Sequence, residues 1–106
     1  MSDLNEMYKE ATALKDKGDM EGATAKLEEI VAIDSTYAVA HSALAVYYQQ
    51  MGRAREAIAH AETVVELQPK DPFSYTQLSV ICQRCGRIQE AEEAMARSRQ
   101  MQFGSQ

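Results

Sequence analysis

The pattern of apolar residues in the middle third of the chain predicts two amphipathic helices joined by a short turn. Apolar side chains recur at helical spacing from Val39 onward until Gly52 ends the run. A second run, with apolar residues at i, i+3, i+4 and i+7, extends from Ala54 to Leu67. Pro69 follows, and because proline cannot continue the helical hydrogen-bond ladder, we expect the second helix to end before it.

The same pattern occurs three times along the chain. Gly18, Gly52 and Gly86 are separated by 34 residues each. Two further columns of small residues keep this register, one five positions after each glycine and one seven positions before it. These columns are Ala23, Ala57 and Ala91, and Ala11, Ala45 and Ser79. An internal period of this length indicates a repeat architecture.

Three copies of one helix–turn–helix unit therefore occupy blocks 4–37, 38–71 and 72–105 of a single domain, 1–106. We expect six helices in antiparallel pairs, with the glycines in the turns because a helix end there needs a left-handed residue. Asp71 followed by Pro72 predicts an N-cap and a proline in the first helical turn.

These columns resemble the tetratricopeptide repeat, whose unit is a 34-residue helix–turn–helix. The positions that carry the resemblance are His41, Leu44, Ala45, Tyr48, Ala57, Ala61 and Pro69 in the second block, Tyr75, Leu78, Ser79, Cys82, Ala91, Met95 and Phe103 in the third, and Met7, Glu10, Ala11, Leu14, Ala23, Leu27 and Ser35 in the first. Glu10 stands where the family has leucine. The resemblance implies an all-α, right-handed superhelical solenoid and a non-catalytic module that binds other proteins.

The resemblance also implies a concave groove lined by the first helix of each repeat, which would bind a peptide or an amphipathic helix of a partner protein. Carried over position by position, its residues are Tyr8, Thr12, Val39, Ser42, Val46, Phe73, Gln77, Val80 and Arg84. Some relatives grip acidic peptide tails with a clamp of lysine, asparagine and arginine. The corresponding residues here are Tyr8, Thr12, Ala43, Phe73 and Gln77, and none of them matches. We therefore expect a neutral, partly apolar ligand anchored near Phe73 and Val46.

The third block differs from the others on its second helix. At three equivalent positions the first block has Thr24, Ile30 and Val31, the second has Ile58, Val64 and Val65, and the third has Glu92, Ser98 and Arg99. We interpret this as the loss of an outer apolar face, so that the third repeat ends the array as its own cap. Met95, Met101 and Phe103 then form an apolar edge. This edge predicts either a homodimer or a monomer whose tail folds over its last helix.

Composition and charge narrow the classes of partner. The net charge of −5 disfavours sequence-independent binding to nucleic acid. No stretch approaches the roughly 20 apolar residues of a membrane span, and the amino terminus lacks the pattern of a secretory signal. With two cysteines in all, a disulfide framework is excluded, and we expect a cytoplasmic protein.

Few residues suggest chemistry. Cys82 and Cys85 form half of a zinc site at most, and they lie at the C-terminal end of a predicted helix, whose dipole opposes thiolate formation. Core packing is therefore the favoured role of Cys82, with intermolecular metal or redox use as the alternative. We expect His41 to pack in the core and His60 to be a solvated surface residue. We predict no catalytic residue, no cofactor and no metal site, and hence no enzyme.

Overall fold

Residues 3–104, which the computed structural model describes, form six α-helices, as the repeat pattern predicts. The termini of the predicted domain and residue 105, the last of the third block, lie outside these residues. The helices are α1 (Leu4–Asp16), α2 (Met20–Ile33), α3 (Ala38–Gln50), α4 (Ala54–Leu67), α5 (Pro72–Arg84) and α6 (Ile88–Phe103).

The turns inside the three repeats depend on their glycines. Gly18, Gly52 and Gly86 have φ angles of +86°, +78° and +81°. Glycine has no Cβ and adopts this left-handed conformation without a steric penalty. Each helix pair is therefore joined by the same tight turn at the same repeat position.

Aspartate side chains begin three of the helices. Asp3, Asp19 and Asp71 accept hydrogen bonds from the backbone N–H groups of Asn5, Gly22 and Phe73, at 3.0, 2.8 and 2.9 Å. Such bonds satisfy donors that have no partner within the helix. Pro72 follows Asp71 in the first turn of α5, as the sequence predicts.

The two columns of small residues lie where paired helices approach each other. All six positions are buried: Ala11, Ala23, Ala45, Ala57, Ser79 and Ala91. Each helix packs against its neighbours in sequence, and α3 also contacts α5 directly. The first helices of successive repeats thus form one layer, and the second helices form another. The result is an elongated helical solenoid, 44 × 29 × 20 Å.

Ser98 is not on the outer face of the third repeat, and the prediction that placed it there is wrong. Only 1% of its surface is exposed, and its hydroxyl lies 2.8 Å from the Thr76 hydroxyl of α5. The equivalent residues Ile30 and Val64 are also buried. This column therefore faces the partner helix within each repeat, and the third repeat fills it with a hydrogen-bonded pair instead of an aliphatic side chain.

Candidate functional site

The layer of first helices forms an open groove of about 370 Å³. Five of the residues predicted for the concave face line it together: Tyr8, Val39, Ser42, Val46 and Gln77. They come from α1, α3 and α5, so the groove crosses all three repeats. Ala43, which corresponds to one of the clamp positions of the family, also lines the groove.

A reciprocal pair of hydrogen bonds crosses the groove between α3 and α5. The Ser42 hydroxyl donates to Gln77 Oε1 at 3.2 Å, and Gln77 Nε2 donates to the Ser42 carbonyl at 3.2 Å. Because the residues are 35 positions apart, these bonds tie the second and third repeats together at the groove itself.

Two tyrosines supply polar groups to an otherwise mostly apolar wall. Burial raises the pKa of Tyr8, and the nearby Tyr47 and Tyr37 raise it further. Burial also raises the pKa of Tyr47, with a contribution from Asp16. Both phenols are therefore neutral at physiological pH and can donate hydrogen bonds to a ligand.

The groove exposes apolar surface to solvent. Val39 is 53% exposed, and Phe73 is 71% exposed. Phe73 lies in a neighbouring depression of about 220 Å³ that shares Ser42 and Gln77 with the groove. The cap at Asp71 fixes this position, since it starts α5 two residues earlier.

Three predicted residues lie outside the lining of both depressions. The Thr12 hydroxyl donates to the Tyr8 carbonyl within α1 at 3.1 Å. Val80 is half-buried, and Arg84 is exposed in the last turn of α5. The structure adds lining residues that the sequence analysis did not place in the groove: Ala38, Tyr47 and Gln68. Gln68 is the C-cap residue of α4, a second helix, whereas the predicted groove residues all belong to first helices.

The residues of the predicted oligomer edge lie on α6. Met95 is half-buried and lines a depression of about 230 Å³ beside Ile88 and Glu92. Met101 is half-buried, and Phe103 is 68% exposed. Ile88 is also exposed.

His41 is buried, as predicted, but the prediction of a solvated His60 is wrong. The His60 side chain is 16% exposed. Its Nδ1 lies 2.9 Å from Nδ1 of His41, its Nε2 lies 3.5 Å from Oε2 of Glu28, and its ring stacks on Tyr48. His60 is therefore part of a polar cluster between the first two repeats.

The two cysteines are free thiols. Cys82 is buried in α5, as core packing predicts, and Cys85 is half-buried at the C-cap of the helix. Burial raises the pKa of Cys82, and Glu90 and Glu62 raise it further. Its thiol is therefore less ionised than an ordinary cysteine at neutral pH. Among residues 3–104, no three histidine, cysteine or acidic side chains are grouped as a metal site requires.

Comparisons with known proteins agree with the fold. A family model described as tetratricopeptide repeat matches residues 14–78, more than half of the chain. No curated protein matches the sequence of this chain. Across the described part of the chain, no helix has the length and apolar character needed to span a bilayer.

Several solved structures share the architecture at low sequence identity. A crystal structure of MamA has a TM-score of 0.84 and 20% identity, and the match covers 96% of this chain and 60% of that one. The translocator chaperone SycD of Yersinia enterocolitica type III secretion has a TM-score of 0.80 and 20% identity, with coverage of 92% and 74%. The second TPR domain of Spaghetti (RPAP3), bound to the HSP90 peptide SRMEEVD, has a TM-score of 0.79 and 14% identity, with coverage of 92% and 91%. The chain thus spans about 60% of the length of the MamA chain.

Proposed function

We propose that this chain, which belongs to the tetratricopeptide repeat family, is a non-catalytic adaptor that binds a peptide or helix of a partner protein in its concave groove. The observation that carries the proposal is the open groove across α1, α3 and α5, with Val39 half-exposed in its wall. The similar RPAP3 domain, which has a peptide bound, supports the same use of the fold.

The chemistry of the groove favours a neutral, partly apolar ligand. None of the described residues that line it is a lysine or arginine. A carboxylate is bound most strongly by a cation. This lining offers only neutral donors, from its tyrosines, serine and glutamines, beside alanine and valine side chains. The acidic peptide bound by the RPAP3 domain is therefore a poor model for the ligand of this chain.

An amphipathic helix or an extended segment fits these properties. Its apolar side chains would contact Val39, Val46 and Phe73, which are spread over the second and third repeats. Its backbone would accept hydrogen bonds from Tyr8 and Gln77. The Ser42–Gln77 bridge keeps α3 and α5 in place, so the groove is formed before the ligand binds.

The test is selection from a peptide library against the intact chain, followed by affinity measurements by calorimetry. The double variant Phe73→Ala/Val46→Ser should weaken a selected peptide well over tenfold, because it removes two apolar contacts worth more than about 1.4 kcal/mol together. A matched control is Ile33→Ser/Ile88→Ala, which truncates two exposed apolar residues outside the groove. Equal affinity for the groove variant and the wild type would place the ligand elsewhere.

A second candidate function is self-assembly through the apolar edge of α6. Phe103 and Ile88 are both more than half exposed, and Met95 lines the adjacent depression. The similar SycD chaperone is described as a dimer in one of its structures. Size-exclusion chromatography with light scattering should then show a mass that rises with concentration, and Met95→Glu should abolish the rise. Monomers at every concentration in both proteins would refute this function.

A further inference from the structure

The two junctions between repeats are built from equivalent positions but are filled differently. At the first junction, where α2, α3 and α4 meet, the Tyr48 ring is held on three sides. Its hydroxyl donates to Glu28 Oε2 at 2.6 Å, and the guanidinium carbon of Arg53 lies 4.9 Å from the ring centroid. The His60 ring stacks on it, with centroids 5.8 Å apart and an angle of 21° between the planes.

At the second junction, 34 residues later, the four equivalent positions are Glu62, Cys82, Arg87 and Ala94. All four line one cleft of about 290 Å³ between α4, α5 and α6. The carboxylate and the guanidinium are retained, whereas a thiol and a methyl group replace the phenol and the imidazole. The cleft is thus the space that Tyr48 and His60 fill at the first junction.

The Arg87–Glu90 ion pair beside this cleft keeps the arrangement of the first junction. Arg87 pairs with Glu90 at 3.4 Å, as Arg53 pairs with Glu56 at 3.0 Å. Arg97 lies over the Tyr75 ring, at 5.9 Å from its centroid.

The remaining carboxylates of the cleft are Glu93 and Glu62. Glu93 Oε1 accepts a long hydrogen bond of 3.5 Å from Gln89 Nε2. Glu62 has no hydrogen-bond or ion-pair partner within residues 3–104, although its counterpart Glu28 binds the Tyr48 hydroxyl. The second junction therefore offers a free acceptor beside a vacant ring-sized space.

We propose that the cleft between α4, α5 and α6 is a binding site for a phenol ring, which donates its hydroxyl to Glu62 and lies against the Arg87 guanidinium. The lining carries three carboxylates, Glu62, Glu90 and Glu93, beside two arginines, and a neutral phenol needs only one carboxylate as the acceptor for its hydroxyl. The ring gains a cation–π contact of the kind that Arg53 makes with Tyr48. The site shares no lining residue with the concave groove, so it does not depend on the proposed function.

The experiment titrates the intact chain with 4-methylphenol and with toluene, followed by ¹H–¹⁵N NMR. Both ligands fill the same space, but only the phenol can donate to Glu62. We expect 4-methylphenol to bind about fivefold more tightly, the effect of one hydrogen bond to an exposed carboxylate. The amides of Ile58, Leu78 and Ala94 should shift, and Glu62→Leu, which has no acceptor at this position, should remove most of the preference for the phenol. The phenol ring could belong to a small molecule or to a tyrosine side chain of another protein, and N-acetyltyrosine amide distinguishes the two. Its binding extends the site to tyrosine side chains, and its exclusion restricts the site to free phenols.

Variants that fill the cleft make the test independent of ligand polarity. Cys82→Tyr recreates the ring of the first junction and should abolish binding, whereas Gln83→Tyr places the same ring on the next, exposed residue and should leave binding unchanged. If circular dichroism shows that Cys82→Tyr does not fold, Ala94→His fills the cleft from α6 and should weaken binding at least tenfold. Equal affinities for phenol and toluene, shifts that map elsewhere, or unchanged binding by the filled variants would overturn the proposal.

Discussion

The Nδ1 atoms of His41 and His60 face each other at 2.9 Å, so one of them donates a hydrogen bond and the other accepts it. Nε2 of His41 is 2.9 Å from the Ser35 carbonyl, so it must carry a hydrogen and donate it. In neutral His41, Nδ1 is then an acceptor, and His60 donates through its own Nδ1. The remaining nitrogen of His60, Nε2, carries no hydrogen in the neutral ring and faces Glu28.

This cluster predicts a pH dependence of stability. Burial lowers the pKa of His60 below its ordinary value of 6.5, and His41 lowers the pKa further. Glu28 and Glu56 raise the pKa, but the effect of burial is larger. The unfolded chain therefore binds more protons than the folded one between the lowered pKa and 6.5. The free energy of unfolding should fall as the pH decreases through this interval and level off below it.

Urea denaturation from about pH 8 to about pH 5 measures this dependence. His60→Gln, which keeps a polar side chain but cannot be protonated, is the comparison. We expect the variant to lose less stability than the wild type over this range. The same loss in both proteins would mean that His60 is not responsible.

The Tyr48 hydroxyl gives a second prediction at the same junction. Burial, and then the hydrogen bond to Glu28, raise the pKa of Tyr48 to about 12. Tyr48→Phe removes that bond and should lower the free energy of unfolding by about 1 kcal/mol at neutral pH, less than is usual for a bond to a charged group because water can reach the carboxylate.

Alkaline pH provides the check on this second prediction. Since the pKa of Tyr48 is raised in the folded state, its contribution is complete below pH 10 and is lost as the pH rises toward about 12. The difference in denaturation midpoint between the wild type and Tyr48→Phe should therefore shrink over that range. A constant difference would contradict the assigned role of the hydroxyl.

The repeat spacing could predict the helices because it reflects local requirements of the backbone. A positive φ at Gly52 and close helix packing at Ala57 restrict the residue types at those positions, and such restrictions are visible in one sequence. The environment of His60 was not predictable in this way. Its partners His41 and Glu28 are 19 and 32 positions away. His41 meets it when α3 packs against α4 within the second repeat, and Glu28 meets it only when the first two repeats pack together.

The candidate groove, too, could be predicted from the sequence only in part. The helical period places Val39, Ser42 and Val46 on one face of α3, and the structure brings them together. Gln68 enters the groove from the end of α4, and that approach depends on the angle between helices. Ser98 was misplaced because a hydroxyl usually indicates an exposed position, whereas here the Thr76 hydroxyl satisfies it.

That pair gives a third prediction, best tested by a double-mutant cycle. Ser98→Ala and Thr76→Val should each lower the free energy of unfolding by about 1 kcal/mol, and the double variant should lose less than the sum, because one hydrogen bond is shared. Urea denaturation of the four proteins supplies the coupling energy. Thr63→Val is the control: within residues 3–104 its hydroxyl bonds only to the Ala59 carbonyl of its own helix, so the substitution should change stability by no more than about 0.5 kcal/mol. Full additivity of the Ser98 and Thr76 substitutions would rule out the bond as a source of stability.

The turn at Gly52 provides the fourth prediction. Its φ is +78°, and a Cβ added there would meet no atom of residues 3–104 within 4 Å apart from those of its two chain neighbours, so a substitution acts through the backbone and not through a clash with packed side chains. Gly52→Ala should lower the free energy of unfolding by about 1–2 kcal/mol, the usual penalty of a left-handed conformation for a residue with a Cβ. Gly52→Asn should lose less, because asparagine tolerates this conformation better than alanine does. Thermal and urea denaturation of the two variants compare them directly. If alanine and asparagine were equally destabilising, or if alanine had no effect, then the left-handed turn would not be what the repeat requires of its glycine.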